Sequence, residues 1–193
     1  MSKEKHQQDL QEIRSLMEQS TRFLSLSGWS GIMAGVYSLF GAYFIQQAGS
    51  ELPGILEIIS IGIGVMVASL ITGFVLTLQK AKKNNQEMFS KTALRMLVHI
   101  GFPMSVGALF LGALLNTTCL NLTAGILLIF YGLGLINGSK YTLHNIRVLG
   151  VSNVILGVIA LYLPQHGLLL WAAGFGIGHI IYGTFMWLKY ERA

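Results

Sequence analysis

Residues 1–22 are polar and charged, and beyond them long apolar runs alternate with short polar breaks. The runs lie at 23–46, 53–78, 93–115, 118–137, 146–164 and 167–188. A helix that crosses a bilayer needs about 20 mostly apolar residues, and a tilted transmembrane strand needs about half that with strict alternation. The runs have the helical length and lack the alternation, and lipid leaves the helix as the form that satisfies its own backbone. The pattern therefore predicts an all-α polytopic membrane protein. Six transmembrane helices form three hairpins over 23–188, followed by a tail at 189–193.

The leading segment "KEKHQQDLQEIRSLMEQSTRF" reads as a cytoplasmic amphipathic helix over 1–22. Leu10, Ile13, Met17 and Leu24 recur at heptad a and d spacing. Two heptads are too few for a coiled coil. Such a helix lies on the membrane surface, or it docks a cytosolic protein partner through Leu10, Ile13 and Met17. In "QKAKKNNQEMFSKTALR" the pattern predicts a helix cap at Asn85 and a helix running on into the third span.

Composition strengthens the membrane reading. Only 11% of the residues are charged, and mean hydropathy is +0.61. Soluble domains carry about 25% charged residues. No secretory signal with a cleavage site is visible, so the first span is expected to stay as an anchor. Charge then sets orientation. Counted against the six runs, all 13 Lys and Arg residues fall on one side. The opposite connections, near "QQAGSELPG", "NTT" and "LPQHG", carry none. The positive-inside rule puts both termini in the cytoplasm of a multi-pass plasma-membrane protein. The net charge of +5 needs no nucleic acid to explain it. Lys80, Lys82 and Lys83 are expected to face anionic lipid headgroups, at about 1 kcal/mol per cation. Tyr43, Tyr162 and Trp171 fit the outer boundary, and Tyr141, Trp187 and Tyr190 the inner one.

The hairpins look alike. The even spans end on "ITGFVLT", "FYGLGLI" and "IYGTFMW", sharing Gly73, Gly132 and Gly183, and the odd spans follow Arg22, Arg95 and Arg147. A parallel triplication of a two-helix unit explains this. The small alphabet of membrane helices explains it too.

Candidate chemistry is thin. His99 sits about one turn inside span three and His179 near the middle of span six. Paired intramembrane histidines can hold haem iron, but these two stand at different depths, and a buried imidazole more often bonds a neighbouring helix. Glu57 is the only carboxylate that falls inside a span, and an intramembrane ionisable group is a functional candidate by default. Glu57, His99 and His179 are therefore the candidates for a transport path. Pro103 should kink span three. One cysteine, Cys119, excludes an intrachain disulfide and a cysteine metal cluster. Phosphate-loop, zincin and nucleophile-elbow motifs are absent, and Asp9 is the sole aspartate, so no catalytic residue, cofactor or metal is assigned.

The stretch "IRSLMEQSTRFLSLSGWSGIMAGVYSLFGAYF" resembles the N-terminal part of small uncharacterised bacterial inner-membrane proteins. That resemblance implies a bacterial inner-membrane setting and carries no substrate, cofactor or active site. Mitochondrial carriers also use three two-helix repeats, but their P-x-[DE]-x-x-[KR] motif is missing here.

Within the stretch, "SGWSGIMAG" sets Gly31 and Gly35 at G-x-x-x-G spacing, a close-packing motif of membrane helices. Gly174 and Gly178 repeat that spacing in span six and are its expected partner face. A homo-oligomer could use the same face. The sequence thus points to a non-enzymatic regulatory or scaffold subunit that works by helix packing and a cytoplasmic partner. The alternative is a small transporter or channel.

Overall fold

The computed structural model describes residues 26–48, 54–83, 90–115, 117, 119–143 and 145–192. The expected N-terminal helix with Leu10, Ile13 and Met17, and the cap at Asn85, lie outside them.

The described chain is helical, with no strand. Helices α1 (Gly28–Ala48), α2 (Ile55–Lys83), α3 (Lys91–Leu114), α4 (Thr123–Gly138), α5 (Ile146–Tyr162) and α6 (Pro164–Tyr190) occupy the six apolar runs. Among the described residues, four segments are long and apolar enough to cross a membrane: Leu56–Lys83, Lys91–Leu114, Leu120–Gly138 and Pro164–Tyr190. The other two fall short for different reasons. α5 has 17 residues, and at 1.5 Å per residue it spans about 25 Å against a hydrocarbon core of about 30 Å. α1 has 21, but Gly28, Ser30, Gly31, Gly35, Ser38, Gly41, Gln46 and Gln47 dilute its apolar character.

Local signals set the ends. Ser90 caps α3, its hydroxyl accepting from the Ala93 amide at 3.2 Å. The helix continues without interruption through Pro103. A 3₁₀ turn, Leu120–Leu122, leads into α4, and another, Pro164–His166, opens α6. The two turns pack against each other. α6 contains a π-helical stretch, Ala172–Ile177, between α-helical Gly167–Trp171 and Gly178–Tyr190.

The helices form an open arc. α4 and α5 make the most extensive pair, α6 packs on both, α1 packs on α6, α2 on α1 and α3 on α4. α2 and α3 are the free ends of the arc. The Tyr37 and Thr72 hydroxyls bond at 3.1 Å between α1 and α2. Leu128, Met186, Asn153 and Thr142 are the largest fully buried residues, which puts the centre among α4, α5 and α6.

One end of the arc is tied by side chains. Leu26, just before α1, packs on Ala93 and Met96 of α3 and on Leu135, Ile146 and Leu149 of α4 and α5. Lys80 Nζ at the end of α2 donates to Leu26 O at 2.7 Å and to Glu191 Oε1 at 2.9 Å. Asn145 Nδ2 donates to Tyr190 Oη at 3.3 Å, and the rings of Trp29 and Trp187 meet edge to face at 5.8 Å. The starts of α1, α3 and α5 thus meet the ends of α2 and α6.

Candidate functional site

Two helix seams are built on glycine. A methyl group added at Gly132 would lie 2.5 Å from Gly150 O, and one at Gly125 would lie 2.9 Å from Gly157 O. These four residues zip α4 to α5. The α1–α6 seam repeats the arrangement: a methyl at Gly28 would meet Gly183 O at 2.6 Å, and one at Gly35 would meet Gly176 O at 2.6 Å. In both seams the glycines stand seven residues apart on each helix, at 125 and 132, 150 and 157, 28 and 35, 176 and 183. Seven residues are close to two helical turns, so each pair shares a face. Nothing larger than a hydrogen fits at these backbone crossings, and dispersion between close backbones holds such seams in lipid.

Gly31 lies in the α1–α6 seam, where an added methyl would come 3.1 Å from Gly183 Cα. Gly174 and Gly178, expected to face α1, do not. Gly174 lies against Leu128 and Asn153, and Gly178 against Leu149. Gly174 and Gly176 are two residues apart in the π-helical stretch, which sets them on opposite sides of α6. The partner face on α6 is Gly176 with Gly183.

The polar centre is His179, buried on α6. Its Nδ1 lies 3.1 Å from Gly174 O and its Nε2 2.6 Å from the Tyr131 hydroxyl on α4. A carbonyl only accepts, so Nδ1 carries the proton, and in the neutral ring Nε2 accepts from Tyr131. The ring stacks on Phe175, with centroids 5.8 Å apart and planes 3° apart. Tyr131 in turn packs on Phe175 at 4.6 Å. The bond to Gly174 reaches five residues back, into the π-helical stretch. Asn153 on α5 is fully buried beside Gly174. Its Nδ2 donates to Leu149 O at 2.8 Å, while its Oδ1 has no partner among the described residues. The buried Tyr182 hydroxyl is likewise unpartnered.

His99 is held by the same chemistry on a different helix. Nδ1 lies 2.8 Å from Arg95 O, and Nε2 lies 3.3 Å from the Tyr141 hydroxyl. Each histidine is thus bonded to its own helix and to a tyrosine on or just beyond α4, not to the other histidine. In both rings Nε2 faces a tyrosine hydroxyl. No group of three or more His, Cys, Asp or Glu side chains able to hold a metal occurs among the described residues.

Glu57 lies in the first turn of α2 and is exposed. α2 packs on α1 and α3 on α4, so the fold does not bring Glu57, His99 and His179 together. An open groove of about 380 Å³ is lined by Val36, Leu39, Phe40 and Tyr43 on α1, and another of about 320 Å³ by Arg147, Val148, Val151 and Ser152 on α5. None of the three candidates lines either groove. Of the lysines expected at lipid headgroups, Lys82 and Lys83 are exposed, whereas Lys80 is turned inward to Leu26 O and Glu191.

Tyr131 and Tyr182 were not singled out by sequence pattern. A histidine deep in an apolar span is the signal that could have found Tyr131, because a buried imidazole needs partners and hydroxyls inside spans are few. No protein family, curated protein or solved structure matches the chain.

Proposed function

We propose that this chain is a bacterial inner-membrane protein with six spans and both termini in the cytoplasm, acting as a non-enzymatic regulatory or scaffold subunit. The observation that carries the reading is α2. This 29-residue apolar helix packs on α1 and leaves its apolar window without a buried residue. Its Leu56, Leu70 and Ile71 are at least 60% exposed. In water such a face would aggregate, so it fits lipid or another membrane helix. The tied end of the arc carries Lys82, Lys83, Lys91, Arg95, Arg147 and Lys189, which supports a cytoplasmic, headgroup-facing side there. At that end a cytosolic partner would meet the N-terminal segment through Leu10, Ile13 and Met17.

The test is co-purification from membranes with the double variant Leu10→Asp, Ile13→Asp. The expected result is loss of a stoichiometric partner with insertion retained. An unchanged set of co-purifying proteins overturns the partner role.

A transport reading draws on one specific observation: the Asn153 Oδ1 and the Tyr182 hydroxyl are buried and have no partner among the described residues. It would run through α4, α5 and α6 rather than through Glu57 and His99. Solute flux into proteoliposomes that Asn153→Leu abolishes would favour it over the scaffold role.

A further inference from the structure

The two glycine seams follow one antiparallel register. Gly132 meets Gly150 while Gly125 meets Gly157, and Gly183 meets Gly28 while Gly176 meets Gly35. In each case the end of an even helix lies on the start of an odd one: α4 on α5, and α6 on α1. The rule leaves one pair, α2 and α3. Gly73 on α2 stands in the phrase "ITGFVLT", which matches the phrases around Gly132 and Gly183. Gly101 on α3 lies six residues after Arg95, as Gly28 lies six after Arg22, whereas Gly150 lies three after Arg147. An added methyl at Gly73 or at Gly101 would meet nothing within 4 Å. The third seam has one glycine on each helix, with Met66 and Ala108 where the other seams have their second pair, and Gly73 and Gly101 are not in contact.

Three independent features say what belongs there. Pairing Gly73 with Gly101 in the antiparallel register of the other seams sets Ala81 opposite Ala93. Those two are 1% and 3% exposed, so the pairing starts where both helices are already buried. Second, Leu26 touches both helices at that end, its carbonyl accepting from Lys80 of α2 and its side chain packing on Ala93 and Met96 of α3. Third, α2 ends at Lys83 and α3 begins at Lys91. Consecutive helices joined by so short a connection are normally antiparallel neighbours.

We propose that α2 and α3 close on each other in the bilayer through Gly73 and Gly101, turning the open arc into a ring of six helices with a third seam in the same antiparallel register. The closure pivots at Leu26 and moves the far ends of α2 and α3. Within the ring, Met66 stands opposite Ala108 and Leu70 opposite Met104. A helix or lipid lodged between α2 and α3 would hold the arc open, so occupancy of this gap and closure of the ring exclude each other. The inference goes beyond the scaffold reading and does not depend on which partner binds the N-terminal segment.

The test uses the full chain in liposomes, with Cys119→Ser to remove the native thiol. Met66→Cys with Ala108→Cys is treated with a membrane-permeant oxidant. The expected result is a disulfide within the monomer, which requires Cα atoms about 4.4–6.8 Å apart. Adding Gly73→Leu should abolish it. A second pair, Leu70→Cys with Met104→Cys, reports the same closure should the first variant fail to insert. Absence of an intramolecular disulfide in an inserted pair, or a disulfide between two copies only, overturns the proposal. Loss of the cytosolic partner leaves both cross-links unchanged, so the two failures are distinguishable.

Discussion

The Gly28 amide donates to Glu191 Oε1 at 2.6 Å, joining the start of α1 to the residue that ends α6. The same oxygen accepts from Lys80 Nζ at 2.9 Å, and both side chains are about 15% exposed or less. One carboxylate therefore serves an unsatisfied helix N-terminal amide and pairs the ammonium that also holds Leu26 O. Removing either partner leaves the other half-buried and unpaired. Glu191→Ala and Lys80→Ala should each destabilise the protein by about 2 kcal/mol. The double variant should lose less than their sum, because the two share one interaction. Thermal unfolding in detergent checks this, and strict additivity would mean that the pair contributes nothing.

Cys119 offers a test of orientation that needs no engineered thiol. It is the chain's single cysteine, it is exposed, and it lies between α3 and α4, at the end away from the Lys80–Glu191 tie. With the basic end in the cytoplasm, Cys119 faces outward. A membrane-impermeant maleimide should label it on intact spheroplasts and fail to label it in sealed inside-out vesicles. The reverse pattern would invert the orientation.

Glycine positions separate into two classes with opposite expectations. At Gly132 a methyl would come within 2.5 Å of a backbone carbonyl that cannot move aside without parting α4 from α5. Gly132→Ala should therefore cost about 1–3 kcal/mol by overpacking. At Gly64 a methyl meets nothing within 4 Å. Alanine there should be neutral or stabilising by up to about 1 kcal/mol, since it favours the helix. Equal effects at Gly132 and Gly64 in a detergent-melting series would refute the seam.

The same glycines show what could be read from the chain. Helix positions followed from run length, because apolar runs of span length in lipid have one solution. Gly31 and Gly35 were legible as a seam on a four-residue template. Their partner face was not, because the operative spacing on α6 is seven, from Gly176 to Gly183, and the four-residue template selects Gly174 and Gly178 on the far side of the helix. The inward turn of Lys80 was also hidden. It depends on Glu191, 111 residues away, and a lysine at the end of an apolar run looks the same whether it faces headgroups or a carboxylate. The π-helical stretch left no sequence mark at all, since "AAGFGI" is an ordinary helical string.

The two tyrosines at the centre give the last prediction. The Tyr131 hydroxyl supplies the hydrogen bond that His179 Nε2 accepts, and His179 Nδ1 in turn holds Gly174 O at the π-helical stretch. In Tyr131→Phe that ring nitrogen stays buried with its donor gone, and the loss should be about 1–2 kcal/mol, within the range of interhelical bonds in lipid. The Tyr182 hydroxyl is buried and has no partner among the described residues. Tyr182→Phe removes an unsatisfied polar group without changing the ring, so it should leave stability unchanged or raise it. The contrast isolates the bond from the shape, because both changes delete one oxygen from a partly buried tyrosine. Unfolding curves for the two variants in the same detergent decide it, and a Tyr182→Phe loss as large as that of Tyr131→Phe would show that the Tyr131–His179 bond is not what stabilises the turn in α6.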